Sequence, residues 1–342
     1  MSERADTPAT PKLGGLDIIR EVIRQYYDLG EIGQPEQLPA AHQRRHRKMM
    51  VQTTAGRYLI KTYKRDPVGL DSLRFQHRLS DHFAAHDIPV ARIQRAKDGR
   101  SIVEIDTWAM ELQHFMPGGT MPLNAETLGV SASVLGKIHE VCRDVPVPPR
   151  DAQKWRFSEV PRDLFRRLFE LAARETEAAK LKEPCDNIGK FLLDAGDALS
   201  EAKRDAFETG LIHGDWHGGN LMFDGNTLTA VVDLEFAGDG CFLEDIAYGM
   251  SNLCVRTTTE EEKLQLRTDI LLEKYQKFRT LSYAEEVALY YAVGVKHIAT
   301  VCYQSLQAGG RIAGYTPSQW VHILAHQARW LAEQSRRARW GE

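Results

Sequence analysis

The hydrophobic pattern divides the chain into a β-rich stretch and a longer helical one. Between about residues 48 and 113, short apolar runs such as "KMMVQT" and "RYLIKTY" flank turn residues, which is typical of paired strands. The helical spacing of Phe75, Leu79 and Phe83 predicts one helix inside this stretch. Residues 16–29 also have the spacing of an amphipathic helix.

A segment rich in glycine and proline, "FMPGGTMP" (115–122), indicates a linker after the β-rich stretch. Beyond it, apolar spacing predicts helices at 126–142, 161–181, 187–205, 258–278, 282–306 and 317–338. The exception is 211–233, where "LMF", the turn "DGN" and "LTAVVD" predict a short hairpin. The expected fold class is α+β, with a small β-rich N-terminal lobe and a larger, mainly helical C-terminal lobe.

Composition and charge narrow the class of protein. The length of 342 residues suits about two domains, and a net charge of −3 gives no reason to expect nucleic acid as a partner. No apolar run reaches the ~18 residues of a membrane span, and the first residues lack the apolar core of a signal peptide. The five cysteines are scattered and form no C-x-x-C pair. We therefore expect a cytoplasmic protein without nucleic-acid or membrane partners.

Polar residues concentrate in "LIHGDWHGGNLMF", between two strand-like pieces. Here Asp215 precedes Asn220 by five positions, and Asp233 follows the hairpin at the end of "LTAVV". Protein kinases have the same order and spacing in H-R-D-x-x-x-x-N and D-F-G, where the first Asp accepts the substrate proton and the other two residues hold Mg²⁺. Phosphoryl transfer depends on positioning and on neutralising negative charge, and these residue types supply both.

The full pattern "HGDWHGGN…VVDLEFA" resembles the aminoglycoside phosphotransferase superfamily, which includes antibiotic kinases, choline kinases and bacterial homoserine kinases. The resemblance extends from about Gln37 to the last helices. It implies a bilobal, protein-kinase-like fold and a phosphotransferase that uses ATP and Mg²⁺ to modify a hydroxyl of a small molecule. Amino-alcohols, sugars and aminoglycosides all stay open as acceptors.

The resemblance also implies an organisation into four parts. Residues 1–14 are expected to be a mobile tail, 15–112 a nucleotide-binding lobe, and 113–118 a hinge. The remaining part, 119–342, is expected to carry the catalytic loop and the acceptor site.

Roles for the central residues follow from the same resemblance. Asp215 is expected to be the catalytic base, and Asn220 and Asp233 the Mg²⁺ ligands. Lys61, in "YLIKTY", corresponds to the lysine that holds the α- and β-phosphates.

The segment "ELQHFMPGG" corresponds to the hinge, where the backbones of His114 and Met116 would contact adenine. The family pattern places a glutamate partner for Lys61 at a position that Gln76 occupies here, so Gln76 is expected to accept a hydrogen bond from that lysine. The chain has no Gly-rich loop before the first long strand, and the cations that could contact phosphate there instead are Arg44, Arg45, Arg47 and Lys48.

Four further residues have supporting roles in this interpretation. His213 is expected to brace the catalytic loop, and His217 to support the catalytic residues from behind. Asp245 is expected to anchor the loop or to cap a helix. Glu235, two residues beyond a metal ligand, is a candidate to face an ammonium group of the acceptor.

Three alternatives are weighed against this prediction. A protein Ser/Thr kinase of the same fold would use the same catalytic residues. A catalytically weak, nucleotide-binding regulatory protein is suggested by Gln76 in place of glutamate. A two-metal phosphoesterase could use the fragment "GDWHGGN", but the chain has no D-x-H before residue 211.

Overall fold

The chain divides into two compact units, and the boundary between them along the sequence lies between Pro117 and Gly118, inside the predicted hinge. The computed structural model describes residues 15–38, 47–147, 156 and 159–341. The predicted tail and the candidate phosphate contacts Arg44 and Arg45 lie outside these ranges. In the described part of the chain, no helix has the length and apolar character needed to span a membrane.

The first unit is an antiparallel sheet with a helix on each face. The helices are α1 (Leu16–Tyr26) and α2 (Pro67–Ala85). The strands are β1 (Glu36–Gln37), β2 (Arg47–Thr53), β3 (Gly56–Lys64), β4 (Ile93–Gln94), β5 (Val103–Ile105) and β6 (Trp108–His114). They lie in the order β1-β2-β3-β6-β4, with β5 also paired to β6.

Side chains alternate between the two faces of this sheet. Ile60 and Met110 join the core that includes Ile19 and Ile23 of α1. The opposite face packs Ala109 against apolar residues of α2. Residues at positions adjacent to Ile60 and Met110 therefore face α2, because successive strand residues point to opposite faces.

The second unit is mainly helical, as predicted. Its helices are α3 (Ala125–Val141), α4 (Arg162–Ala172), α5 (Ala178–Ala198), α6 (Glu201–Arg204), α7 (Phe242–Met250), α8 (Glu261–Tyr275), α9 (Tyr283–Gln307) and α10 (Pro317–Trp340). Its strands are β7 (Gly119–Thr120), β8 (Thr209–Ile212), β9 (Leu221–Asp224), β10 (Thr227–Val231) and β11 (Gly238–Cys241). A π-helical turn, Ser251–Val255, follows α7 directly. Helix α9 packs against α4, α5, α7 and α10.

The structure corrects two predicted boundaries in the second unit. The helix expected at 161–181 ends early, because α4 stops at Ala172. The helix expected at 187–205 begins early, because α5 starts at Ala178, continues through Pro184 and ends at Ala198. A proline removes one hydrogen bond from a helix interior, but Pro184 is buried and α5 packs against α4, α9 and α10, which offset this loss. The linker expected at 115–122 contains β7, which pairs with β9.

Candidate active site

Hydrogen bonds fix the start of the loop that carries Asp215. It follows β8, which pairs with β11, and its first two backbone N–H groups donate to the carboxylate of Asp245 on α7. The distances are 2.6 Å from His213 N and 2.7 Å from Gly214 N. Gly214 has a φ of 77°, and a Cβ at this position would lie 2.4 Å from the carbonyl oxygen of Phe236. The tight turn therefore requires glycine.

Asp245 is fully buried and is contacted by His139 of α3, which is itself positioned by Tyr275 of α8. His139 Nε2 donates to Asp245 Oδ2 (3.2 Å), and His139 Nδ1 accepts from the hydroxyl of Tyr275 (2.7 Å). Burial opposes ionisation of Asp245, but the hydrogen bonds from His139 and from the Gly214 N–H lower the pKa of this carboxyl below its ordinary value. Asp245 is thus a charged anchor for the catalytic loop.

The carboxylate of Asp215 is oriented by its neighbours in the loop. Asn220 Nδ2 donates both to Asp215 Oδ2 (3.0 Å) and to the Asp215 carbonyl (2.9 Å). His217 Nε2 lies 3.3 Å from the same Oδ2, while His217 Nδ1 accepts from the N–H of Gly219 (3.0 Å). The phenol of Tyr248 on α7 also acts on this carboxylate and lowers its pKa.

These contacts keep Asp215 ionised. Burial opposes ionisation, but the hydrogen bonds from His217 and Tyr248 hold the pKa of Asp215 well below its usual range. Burial and then the Asp215 carboxylate raise the pKa of Tyr248, so its hydroxyl stays protonated and can donate.

Both ring nitrogens of His213 make hydrogen bonds. Its Nε2 donates to the Val232 carbonyl (3.2 Å), and its Nδ1 accepts from the Asp215 N–H (3.3 Å). His213 therefore links the catalytic loop to the hairpin end at Val232, beside Asp233.

The two expected metal ligands flank the open end of the β9–β10 hairpin. Val231 pairs with Leu221, and the Val232 N–H donates to the Asn220 carbonyl (3.0 Å). Asp233 has a φ of 66°, a left-handed conformation that is uncommon outside glycine and that often marks a functional position.

Asn220 and Asp233 suit Mg²⁺ by the chemistry of their donor atoms. Because Asn220 Nδ2 is bound to Asp215, the amide oxygen is the atom that it can offer to a cation. Mg²⁺ prefers oxygen ligands and is commonly held by one or two protein groups together with substrate phosphates. Within the described ranges, no group of three or more His, Cys, Asp or Glu side chains is arranged to hold a metal ion.

In the first unit, Lys61 pairs with Glu111 on the neighbouring strand. The two residues are opposite one another in the β3–β6 register, and Lys61 Nζ lies 3.9 Å from Glu111 Oε1. Glu111 is fully buried and accepts from Tyr63 (2.9 Å), from Gln113 (2.9 Å) and from His77. Burial opposes its ionisation, but the contacts with His77 and Lys61 lower the pKa of Glu111 below its ordinary value.

The assignment of Gln76 as the partner of Lys61 is corrected by this geometry. Gln76 lies on α2, and its Nε2 donates to Ser72 Oγ of the same helix (3.5 Å). The next residue, His77, is the one that points to the sheet and contacts Glu111. Adjacent helical residues differ by about 100° in direction, so a one-residue change of phase moves a side chain off the face that meets the sheet.

Two backbone N–H groups of the predicted hinge make hydrogen bonds within the first unit. The His114 N–H donates to the Arg92 carbonyl (2.8 Å), and the Phe115 N–H donates to the Arg57 carbonyl (2.9 Å). Among the described residues, no hydrogen bond is made by the Met116 N–H. Arg47, one of the cations predicted to contact phosphate, donates two hydrogen bonds to Gln37 Oε1 (2.8 and 3.0 Å).

Several residues at these sites were not identified from the sequence. Glu111 interrupts the apolar run "WAMEL", and a carboxylate inside a buried strand is a signal that could have revealed it. His139 and Tyr248 lie in helical segments without a distinctive local pattern. Their contacts with Asp245 and Asp215 depend on long-range packing.

Comparison with known proteins gives a consistent result. The sequence profile described as "Phosphotransferase enzyme family" matches residues 36–280. Homoserine kinase of Nitrobacter hamburgensis is 24% identical over 307 residues, which cover 88% of this chain and 89% of that protein. Homoserine kinase of Nitrobacter winogradskyi is 25% identical over 324 residues, with coverage of 92% and 94%.

Solved structures of similar fold include three phosphotransferases. The first is an aminoglycoside phosphotransferase from Alicyclobacillus acidocaldarius (TM-score 0.66, 14% identity, coverage of 99% and 98%). The second is an amicoumacin kinase in complex with AMP-PNP, Ca²⁺ and Ami (TM-score 0.60, 14% identity, coverage of 95% and 93%). The third is a microcompartment-associated aminopropanol kinase (TM-score 0.58, 16% identity, coverage of 94% and 100%). These similarities confirm the predicted fold class.

Proposed function

The chain belongs to the phosphotransferase enzyme family, and from that premise we propose that Asp215 receives the proton of the acceptor hydroxyl during phosphoryl transfer. The protein is an ATP-dependent phosphotransferase that acts on a hydroxyl group of a small molecule. The observation that carries the proposal is the environment of Asp215. Its carboxylate is oriented by a hydrogen bond from Asn220 and held ionised by its interactions with His217 and Tyr248.

Each of these residues has a distinct task in the proposed mechanism. Asn220 donates to Asp215 Oδ2, and His217 Nε2 lies 3.3 Å from the same oxygen, so both orient the carboxylate that we assign to the acceptor hydroxyl. An oriented base contributes typically ~10²–10⁴-fold to the rate. His213 and Asp245 hold the loop and do not exchange protons with the acceptor.

Three groups of residues are assigned to the nucleotide and its metal ion. We propose that Lys61, fixed by Glu111, contacts the α- and β-phosphates. The His114 carbonyl and the Met116 N–H are the hinge groups that would contact adenine. Asn220 and Asp233 would hold Mg²⁺, which would neutralise the negative charge of the phosphoryl group that ATP donates.

The acceptor that we favour is a small amino-alcohol. The support is the name shared by the curated relatives, which are homoserine kinases that span most of the chain. Glu235, half-buried in the turn after Asp233, is our candidate for contact with the acceptor ammonium. The regulatory alternative was suggested by Gln76, and the Lys61–Glu111 pair removes that reason for it.

A screen of acceptor-dependent ADP release tests this function. The purified protein is incubated with Mg²⁺ and ATP and with amino-alcohols, sugars, aminoglycosides or a Ser/Thr peptide mixture. We expect ADP release to rise with an amino-alcohol, and the phosphorylated product to be visible by mass spectrometry. Phosphorylation of the peptides alone, or ATP hydrolysis that no acceptor stimulates, would contradict the proposal.

A further inference from the structure

A chain of buried polar groups connects Asp245, the anchor of the catalytic loop, with the turn between α8 and α9. Its members beyond Asp245 are His139 of α3, Tyr275 at the end of α8 and Arg279 in the turn. His139 Nε2 lies 3.2 Å from Asp245 Oδ2, and His139 Nδ1 lies 2.7 Å from the Tyr275 hydroxyl. Arg279 Nη1 lies 3.3 Å from the same hydroxyl. All four residues are buried, so water does not compete for these hydrogen bonds.

Arg279, at the far end of this chain, is held between two carboxylates. Its Nε donates to Glu208 Oε2 (2.7 Å), directly before β8, and its Nη2 donates to Glu285 in the first turn of α9. Glu285 also accepts from the backbone N–H of Glu208 (3.1 Å). A guanidinium is planar and rigid, so these two contacts fix the direction in which Nη1 donates. That direction is towards Tyr275.

Stability alone is a weak reason for an arginine at this position. The side chains of Arg279 and Glu285 are each 1% exposed, and removing such charges from water costs free energy. Apolar residues of similar volume often replace a buried ion pair without loss of stability. Arginine differs from them in supplying a donor of fixed direction to the Tyr275 hydroxyl.

The donor and acceptor roles along the chain follow from Arg279. Arginine has no acceptor atom, so its Nη1–H must donate to the Tyr275 oxygen. As far as the structure describes the chain, this hydroxyl bonds only Arg279 and His139. The phenolic hydrogen therefore has one acceptor, which is His139 Nδ1. A hydrogen on Nδ1 would leave the buried phenolic hydrogen unpaired, which is costly.

The position of the ring proton of His139 decides how this ring meets Asp245. Burial lowers the pKa of His139, against the opposite effect of its hydrogen bond with Asp245, so near neutral pH the ring has one proton. Burial also raises the pKa of Tyr275, which keeps its hydroxyl hydrogen. With the proton on Nε2, His139 donates to the Asp245 carboxylate. With the proton on Nδ1, a nitrogen lone pair would face that carboxylate and repel it.

We propose that Tyr275 and Arg279 are positioning residues of the catalytic loop, because they keep the single ring proton of His139 on Nε2. This inference rests on the proposed function of Asp215. In this arrangement His139 holds Asp245 in the orientation in which its two oxygens accept from the first backbone N–H groups of the loop. The two residues act on turnover through the position of the loop.

Nitrogen-15 NMR of the protein labelled at histidine tests the proton position directly. In a neutral imidazole, the two ring nitrogens have different chemical shifts, which show which of them has the hydrogen. The signals of His139 are those missing from His139→Gln. We expect the hydrogen on Nε2 in the unmodified protein and a population with the hydrogen on Nδ1 in Tyr275→Phe. The matched control is Tyr303→Phe, an exposed tyrosine of α9, which should leave these signals unchanged.

Two spectroscopic results would overturn the proposal. One is a hydrogen on Nδ1 of His139 in the unmodified protein. The other is an unchanged hydrogen on Nε2 in Tyr275→Phe, because the tyrosine would then not determine the proton position.

Steady-state kinetics test the effect on turnover. Tyr275→Phe should lower kcat about 10-fold, as expected for one lost hydrogen bond, and should leave KM for ATP and for the acceptor unchanged. Arg279→Lys keeps a positive charge between the two carboxylates but lacks the rigid fork, so kcat should fall in the same way. A melting curve for each variant checks folding. An unchanged kcat in both variants would contradict the proposal.

A double variant separates an action through His139 from any other route. In the His139→Gln background, Tyr275→Phe should lower kcat no further, because the ring that it acts on is gone. A further fall of about 10-fold in that background would contradict the proposal. If the unmodified protein phosphorylated no acceptor, the proposed function and the role in turnover would be rejected, while NMR would still decide the proton position on His139.

Discussion

Replacement of Glu111 by glutamine should be the most damaging conservative change in the first unit. Glu111 is 0% exposed and accepts hydrogen bonds from Tyr63, Gln113 and His77, with Lys61 Nζ at 3.9 Å. Glutamine has nearly the same size as glutamate but no charge. Its amide N–H groups would also face the groups that now donate to Glu111. Loss of one partner from a buried ion pair costs ~3–5 kcal/mol, and we expect about 3 kcal/mol here because one acceptor oxygen is retained.

The effect is measured by urea denaturation and by the KM for ATP. The matched control is Glu104→Gln, because Glu104 is a partly exposed carboxylate that pairs with Arg65 and Arg74, and exposed pairs contribute at most ~1 kcal/mol. Gln76→Ala should also cost less than ~0.5 kcal/mol. KM for ATP should rise in Glu111→Gln, because Lys61 loses its fixed partner. If Glu111→Gln were as mild as Gln76→Ala in both measurements, the pairing of Lys61 with Glu111 would be refuted.

Three further predictions concern the second unit. Asp245→Asn should lower the free energy of unfolding by ~2–4 kcal/mol and should also lower turnover, because the N–H groups of His213 and Gly214 lose a charged acceptor. Unchanged turnover in kinetic assays would show that the loop needs no such anchor. Asp233→Ala should abolish the Mg²⁺ dependence of ATP-analogue binding in calorimetry, and equal dependence in both proteins would remove Asp233 from the metal site. The folded-state pKa of His297, about 4, is below its ordinary value of 6.5, so its contribution to stability is fully present above pH 6.5 and is lost as the pH falls towards 4. This pKa shift corresponds to about 3 kcal/mol. In His297→Gln, the free energy of unfolding measured with urea should therefore fall less steeply between pH 6.5 and pH 4. The same slope in both proteins would contradict the assignment.

The local part of the site was predictable from sequence because its geometry is set by short spacing. Asp215 and Asn220 lie in one loop, and Asp233 follows a hairpin whose two strands and turn are evident in the pattern. The two-lobed α+β fold followed from the change from short strands to helical spacing. These features depend on contacts between residues that are close along the chain.

The partners of these residues were not predictable in the same way. Whether Glu111 lies opposite Lys61 depends on the register of β3 against β6, and a shift of one residue would place the two side chains on opposite faces of the sheet. Whether Gln76 or His77 faces the sheet depends on the phase of α2, which local spacing does not determine. Lys296 reaches the Tyr248 ring only through the packing of α9 against α7.

Turnover by Asp215→Asn tests the central claim most directly. Asparagine keeps the shape of the side chain but cannot accept a proton at neutral pH, so kcat with the best acceptor should fall by ~10²–10⁴-fold. Binding of an ATP analogue, measured by calorimetry with Mg²⁺, should survive, and the matched control Asp224→Asn, in the exposed end of β9, should retain full activity. A kcat for Asp215→Asn equal to that of the unmodified protein would contradict the assignment of Asp215 as the base.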